Sequence, residues 1–206
     1  MALFDMLKSK AKAAVTQTVR ETVTKAAQNI GNKTEKIVFG SMPSSVEEFK
    51  ALPQAALSTP FETAAMTVLA LSCYPQSKEL CFEMLDYLRG PRPLNGMEKQ
   101  FISDRFMDKD YVPRSYFAGA TPENDYRPSM PLTVSVSENP HSYESQGYAK
   151  LFIPSGGADN PRPVQLREAK DGKWYLWEQF LLPDIRQPES FNPWACRNRH
   201  NYKHPY

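Results

Sequence analysis

A single pair of residues, Asp171-Gly172, limits the fold more than any other feature of this 206-residue sequence. It separates two runs, 162–169 and 173–180, in which β-favouring and aromatic side chains are frequent. Asp-Gly favours the positive backbone dihedrals of a tight β-turn, so this segment predicts an antiparallel hairpin. The chain therefore contains an antiparallel sheet that anchors several large aromatic side chains.

Two helix start signals occur in the segment that precedes the predicted sheet. Ser44 with Glu47, and Thr59 with Glu62, match the capping box, in which the first side chain accepts a hydrogen bond from a backbone N–H three residues on. Pro60 follows the second cap at the position where proline is favoured in helices. We therefore predict short helices that begin at these two points.

The second of these helices is predicted to be the buried centre of the fold. Residues 64–71 are apolar nearly all round, which is typical of a helix enclosed by other elements. A third helix is predicted from Ser77 and a fourth over about 95–107. The apolar side chains predicted on one side of the fourth helix are Met97, Phe101, Ile102 and Phe106.

Two further strands are predicted between the helices and the hairpin. Residues 132–137 and 148–153 alternate apolar and polar side chains, as half-buried strands do. Consecutive strands with short connections form an antiparallel meander, whose apolar face packs on helices. The sequence thus predicts an α+β fold, with short helices over 43–110 packed on a meander sheet of about four strands over 132–181, and a separate N-terminal amphipathic helix.

Composition divides the chain into three parts. All eighteen prolines follow residue 42. We predict an amphipathic helix and linker over 1–40, an α+β domain over 42–190 and a basic aromatic tail over 191–206. The net charges are +4 over 1–40, −5 over 41–189 and +3 over 190–206, although the whole chain carries only +2. Basic ends are suited to anionic surfaces, but solvated termini have the same composition.

The N-terminal segment predicts an amphipathic helix over about 2–30. Leu3, Phe4 and Leu7 form a strong apolar front, and lysines at 8, 10 and 12 lie directly behind it. A helix of this kind gains most of its stability from a packed face. Three partners are open: its own domain, a second helix in an oligomer, or an anionic membrane surface.

Cysteine usage and hydropathy predict a cytoplasmic protein. The three cysteines, Cys73, Cys81 and Cys196, lack the paired short spacings of a disulfide framework. The first residues lack a basic stretch before an apolar core, so no secretory signal is predicted. The longest nearly apolar run, 64–73, is far short of the roughly 20 residues that span a bilayer. Attachment to the membrane surface stays open through the N-terminal helix.

A loop over 111–131 follows the helices and has no helix or strand periodicity. Its aromatic side chains argue against disorder, so we predict an ordered loop that packs over another part of the domain. Tyr116, Phe117 and Tyr126 are candidates for contact with a partner, because exposed aromatics dominate binding hot spots. The alternative is that these rings cover the core between helices and sheet.

Four pieces of the sequence resemble an uncharacterised bacterial domain family, found mostly in Gram-positive bacteria and of unknown function. The pieces are Ser115-Tyr-Phe-Ala-Gly-Ala-Thr-Pro-Glu-Asn-Asp-Tyr126, Arg162-Pro-Val164, Lys173-Trp-Tyr-Leu-Trp-Glu178 and Asp184-Ile-Arg186. The resemblance covers about residues 42–190. It implies a bacterial origin, and it assigns no catalytic or binding residue.

The C-terminal tail holds three groups that are able to ligate a metal: Cys196, His200 and His204. On one helix the first and third lie about 12 Å apart, too far to share an ion, and no fourth ligand is evident. A basic tail in solvent is the favoured interpretation, and no cofactor is predicted. Binding of nucleic acid is not predicted, since the tail's three basic side chains form a small footprint.

No catalytic set accompanies these elements, so the leading hypothesis is a non-enzymatic interaction module with an unknown protein partner. The alternative is a small-molecule-binding domain with a pocket between the helices and the sheet. In a hairpin with a two-residue loop, Arg167 faces Leu176 and has Trp174 and Glu178 as diagonal neighbours. The candidates for the pocket are Arg167, Trp174 and Glu178. A surface cross-strand ion pair is the simpler interpretation, and a one-residue bulge would reverse the faces.

Overall fold

The computed structural model describes residues 33–191, and within them it contains four α-helices and five strands. The helices are α1 (Val46–Ala51), α2 (Pro60–Ser72), α3 (Lys78–Arg89) and α4 (Gly96–Phe106). The strands are β1 (Thr34–Phe39), β2 (Leu132–Ser137), β3 (Tyr148–Ile153), β4 (Arg162–Glu168) and β5 (Trp174–Gln179). The predicted N-terminal helix and most of the basic tail lie outside the described residues.

The sheet is antiparallel throughout, in the order β1-β2-β3-β4-β5. The α+β class and the meander are therefore confirmed, but the sheet has five strands and not four. The additional strand, β1, comes from the segment predicted as linker. Ile37 and Phe39 point into the core from β1, which pairs with β2 along its whole length. Because β2 lies more than 90 residues further along the chain, local patterns do not reveal this pairing.

Helix α2 is the centre of the fold, as its composition predicted. Eleven of its thirteen residues are buried, and it packs against all five strands. The predicted capping box is present: Thr59 Oγ1 accepts from the Glu62 N–H at 3.2 Å, and Glu62 Oε2 accepts from the Thr59 N–H at 3.0 Å. The central helix thus lies along the sheet, and α3 also packs on it.

The remaining helices begin near their predicted caps, with one shift. Helix α1 is capped by Ser45 and not by Ser44, because Ser45 Oγ accepts from the Glu48 N–H. Ser44 instead donates to the Glu48 carboxylate through both its N–H and its hydroxyl. Ser77 caps α3 as predicted, through a bond from the Leu80 N–H.

Helix α4 does not bury the whole apolar side that the sequence predicted. Ile102 and Phe106 are buried, whereas Met97 and Phe101 are exposed. Helix periodicity predicts that side chains share a face, but it does not show how far the neighbouring layer extends over that face.

The hairpin forms where predicted, but its loop has three residues and not two. Gly172 has a φ of 78°, and its N–H donates to the Ala169 carbonyl at 3.0 Å. The Ala169 N–H in turn donates to the Lys173 carbonyl, which gives a type I turn with a left-handed glycine. A second irregularity then makes Trp177 an extra residue in β5, opposite the step between Gln165 and Leu166.

These two irregularities change every predicted strand pair between the turn and the bulge. Arg167 lies opposite Tyr175 and not Leu176, so the predicted pairing near the turn was wrong. Beyond the bulge the predicted register returns, with Gln165 opposite Glu178. The hairpin register therefore depends on the bulge.

Candidate functional site

The three loop aromatics lie in the core and not on the surface. Tyr116 and Phe117 are each 3% exposed and Tyr126 is fully buried. The Tyr116 hydroxyl donates to the Leu181 carbonyl at 2.6 Å, and that of Tyr126 donates to the Arg186 carbonyl at 2.7 Å. Burial raises the pKa of both phenols, that of Tyr126 to about 12. The expectation that these rings are exposed to a partner was wrong, and the alternative that they cover the core describes their position.

An open cleft runs along β5, the strand at one edge of the sheet. Its larger part, the apolar groove, is a hollow of about 490 Å³ between β5 and the helices α3 and α4. The apolar side chains that line it are Leu85, Leu94, Met97, Phe101, Ile102, Leu176 and Phe180. Met97, Phe101 and Phe180 are 84%, 50% and 46% exposed, so the groove presents large apolar side chains to solvent.

The smaller part, the basic pocket, is a hollow of about 290 Å³ next to the groove. Four cationic side chains line it: Arg89, Arg92, Arg167 and Lys170. The carboxylate in its lining is Glu168. The two parts of the cleft thus differ sharply in polarity, although Arg89 and Leu176 belong to both.

Arg89 forms the partition between groove and pocket. Its side chain is only 7% exposed, its Nε donates to the Arg92 carbonyl at 2.9 Å, and its Nη2 donates to Glu98 Oε1 at 2.7 Å. Partial burial by itself raises the pKa of Glu98. The hydrogen bond from the Asn95 N–H and the charges of Arg89 and Arg92 outweigh that effect, so the pKa of this carboxyl lies below its usual range.

The wall of the basic pocket is a cluster of guanidinium groups and aromatic rings. Arg167 Cζ lies 5.0 Å from the centre of the Trp177 ring and 5.1 Å from that of Tyr148. Tyr148 and Trp177 themselves meet edge to face at 5.6 Å. Arg92 Cζ lies 4.5 Å from the centre of the same Trp177 ring. Trp177 is therefore in cation–π contact with two arginines.

The structure distributes the three pocket candidates over different places. Arg167 lines the basic pocket and Glu178 lines the apolar groove. Trp174 lines neither hollow, because its backbone N–H donates to the Leu57 carbonyl and its carbonyl accepts from the Thr63 hydroxyl, which ties it to the start of α2. The three-residue loop places Arg167 opposite Tyr175, so Trp177, and not Trp174, is the diagonal neighbour that contacts Arg167.

Sequence reasoning missed several contributors to this cleft, among them Arg92 and Phe180. Arg92 follows the Gly90-Pro91 helix stop, a position that local patterns assign to a turn and not to a site. Phe180 lies just beyond the last paired residue of β5. A signal was available for Arg92 in the two arginines at positions 89 and 92, but the strand register that places Trp177 near Arg92 is not readable from composition.

Other groups capable of chemistry are inaccessible or lie outside the described residues. Cys73 and Cys81 are free thiols that are fully buried, and burial raises the pKa of Cys73 to about 12 and that of Cys81 further. Both are therefore protonated and shielded at neutral pH. The proposed ligands Cys196, His200 and His204 are outside the described residues. Within residues 33–191 no group of three potential ligands forms a metal site, and no helix there is long and apolar enough to cross a bilayer.

Comparison with known proteins assigns the chain to a family but not to an activity. No curated protein and no solved structure matches it. The family described as Domain of unknown function (DUF6935) matches residues 41–189, close to the 42–190 expected from the resemblance. The bacterial origin that the resemblance implied stays a prediction. Since the match covers most of the chain and includes nearly the whole described fold, this protein belongs to the DUF6935 family.

Proposed function

We propose that this protein is a cytoplasmic, non-enzymatic interaction module that binds a segment of a partner protein in the apolar groove. The observation that carries the proposal is the convergence of Met97, Phe101 and Phe180, all exposed, around a hollow with Leu176 in its lining. Clustered exposed apolar side chains mark interaction surfaces more often than isolated ones do. Burial of these three side chains by a partner would supply the main free energy of binding.

The shape and chemistry of the groove support a protein segment as its occupant. A hollow of about 490 Å³ that is open to solvent accepts a few apolar side chains from a continuous chain. Methionine side chains adapt their shape to different apolar partners, and Met97 lies at the most exposed point of the lining. An open groove of this kind suits a peptide better than a fully enclosed small molecule.

Charge further limits the chemistry of the partner segment. In the groove lining, Arg89 and Glu98 neutralise each other through their ion pair. Glu178 is exposed and forms no salt bridge to any residue in 33–191. A partner segment that combines apolar side chains with a lysine or arginine would complement both the groove and this carboxylate.

Photo-crosslinking in the native cell tests the proposal. Phe101 is replaced by p-benzoylphenylalanine in the full chain, and adducts are identified by mass spectrometry. We expect an adduct with an apolar, basic segment of another protein, and we expect Glu178→Lys to weaken it at least fivefold because the charge is reversed. Glu47→Lys, an exposed change at the start of α1, is the matched control and leaves the adduct unchanged.

The same crosslinker at Tyr143 controls for surface exposure, since this side chain is 44% exposed and lies outside the cleft. Equal adducts from positions 101 and 143 would contradict a specific site. Adducts only with residues 1–32 of this chain or of a second copy would also contradict it, because the groove would then be occupied by the protein itself.

A further inference from the structure

We propose that the basic pocket binds a dianionic phosphoryl group, with Arg167 and Arg92 as its two guanidinium ligands and Lys170 as a third cation. This site is independent of the apolar groove, because Arg89 separates the two hollows. A small phosphate ester, or the phosphorylated side chain of a larger molecule, presents the chemistry that the pocket recognises.

The guanidinium of Arg167 is held in place without using its hydrogen-bonding capacity. Contacts with Tyr148 and Trp177 orient it through the faces of the rings. Within residues 33–191 its side chain forms no salt bridge and donates no hydrogen bond to a protein group. An arginine carries five N–H donors in a planar fork, and here the fork is pre-oriented and free to bind an oxyanion.

A second guanidinium lies within bridging distance of the first. Arg92 and Arg167 both contact Trp177, so their Cζ atoms are no more than about 10 Å apart. A phosphoryl group held by two arginine forks separates their Cζ atoms by roughly 8 Å. The upper limit that the shared tryptophan sets on the Cζ–Cζ separation is thus compatible with one phosphoryl group held by both arginines.

The charge of the pocket matches a dianion better than a carboxylate. Four cationic side chains line the pocket, and the carboxylate of Glu168 in the same lining neutralises one of their charges. Glu98 neutralises a second charge through its ion pairs with Arg89 and Arg92. Two positive charges remain. A phosphate monoester carries a charge close to −2 at pH 7, whereas a carboxylate carries only −1.

The full chain is titrated with inorganic phosphate, methyl phosphate and acetate by isothermal calorimetry at constant ionic strength. We expect saturable binding of one phosphate or methyl phosphate per chain with a dissociation constant on the order of 1 mM, and at least tenfold weaker binding of acetate. Acetate binding as tight as phosphate, or no saturation up to roughly 20 mM phosphate, would overturn the proposal.

Three variants locate the site. Arg167→Gln removes the fork and is expected to weaken phosphate binding at least tenfold, whereas Arg127→Gln, which removes an exposed arginine outside the pocket, has no effect. Arg167→Lys keeps the charge without the planar fork and is expected to bind with intermediate affinity. If Arg167→Gln and Arg127→Gln lost the same phosphate affinity, binding would be a non-specific attraction and the proposal would fail. If Arg167→Lys bound phosphate as tightly as wild type, the guanidinium would not have the proposed role.

Discussion

Arg89 shapes the cleft because its nearly buried guanidinium is held between the Arg92 carbonyl and the Glu98 carboxylate. A buried charge of this kind is tolerated only while its partner is present, since loss of one member leaves the other without compensation. Glu98 also caps α4 by accepting from the Asn95 N–H. One carboxylate therefore stabilises both the helix start and the partition between groove and pocket.

Glu98→Gln removes the charge but keeps an oxygen able to cap the helix, so it isolates the ion pair. We expect a loss of about 1–3 kcal/mol in the free energy of unfolding at pH 7, measured by urea denaturation. Because the pKa of Glu98 is lower in the folded protein, its contribution is present above the unfolded pKa and disappears as pH falls through the folded value. The variant should thus lose less stability than wild type on acidification.

Glu83→Gln is the control for this measurement, since Glu83 is exposed on α3 and forms no salt bridge within residues 33–191. It should change the free energy of unfolding by less than about 0.5 kcal/mol. If both variants lost the same stability, or if Glu98→Gln kept the full wild-type acid dependence, the ion pair would not have the proposed role.

At the scale of elements, the β4–β5 hairpin determines which side chains reach the basic pocket. Its three-residue loop shifts the pairing near the turn by one position, and the extra residue Trp177 shifts it back. The bulged position is the one that contacts Arg92, Arg167 and Tyr148. With the pairing on the turn side of the bulge, Trp177 is the diagonal neighbour of Arg167, and its ring also contacts Arg92.

Gly172→Ala tests the hairpin loop. A left-handed φ of 78° is unfavourable for alanine, so we expect a loss of about 1 kcal/mol or slightly more in the free energy of unfolding. Gly40→Ala is the matched control, because an added Cβ there contacts nothing and φ is not in the left-handed range. This variant should lower the free energy of unfolding by less than about 0.5 kcal/mol. Equal effects in chemical denaturation would contradict the assigned loop geometry.

At the scale of the whole molecule, the sheet and the helices share one core around α2. Helix α2 packs against every strand, including β1 at the edge opposite β5. The family match begins at residue 41, after the end of β1. A fragment drawn to the bounds of that match would therefore omit a strand that contributes Ile37 and Phe39 to the core.

Two truncations test the place of β1. Removal of residues 1–32 should leave the free energy of unfolding within about 1 kcal/mol of the full chain, because no described core residue is lost. Removal of residues 1–40 should cost at least about 3 kcal/mol, since it deletes two buried side chains and the pairing of β1 with β2. Equal stability of the two fragments would show that β1 is dispensable. Urea denaturation and calorimetry measure the free energy of unfolding of each truncated protein.

Elements encoded by neighbouring residues were predictable from the sequence. The caps at Thr59 and Ser77 depend on hydrogen bonds that span three residues, and the buried character of α2 follows from its own composition. The Asp171-Gly172 turn is equally local, so its position was correct. Short-range hydrogen bonding and side-chain periodicity are properties of a segment, and they persist whatever the segment packs against.

Features that require distant segments to meet were not predictable in this way. Strand β1 becomes a strand by pairing with β2, and Tyr116 becomes a core residue because Leu181 accepts its hydroxyl. The basic pocket depends on a strand register that brings Trp177 into contact with both Arg92 and Arg167. For segments that are only partly apolar, long-range packing decides which side chains are buried and which charges converge, because the surface that covers them comes from another part of the chain.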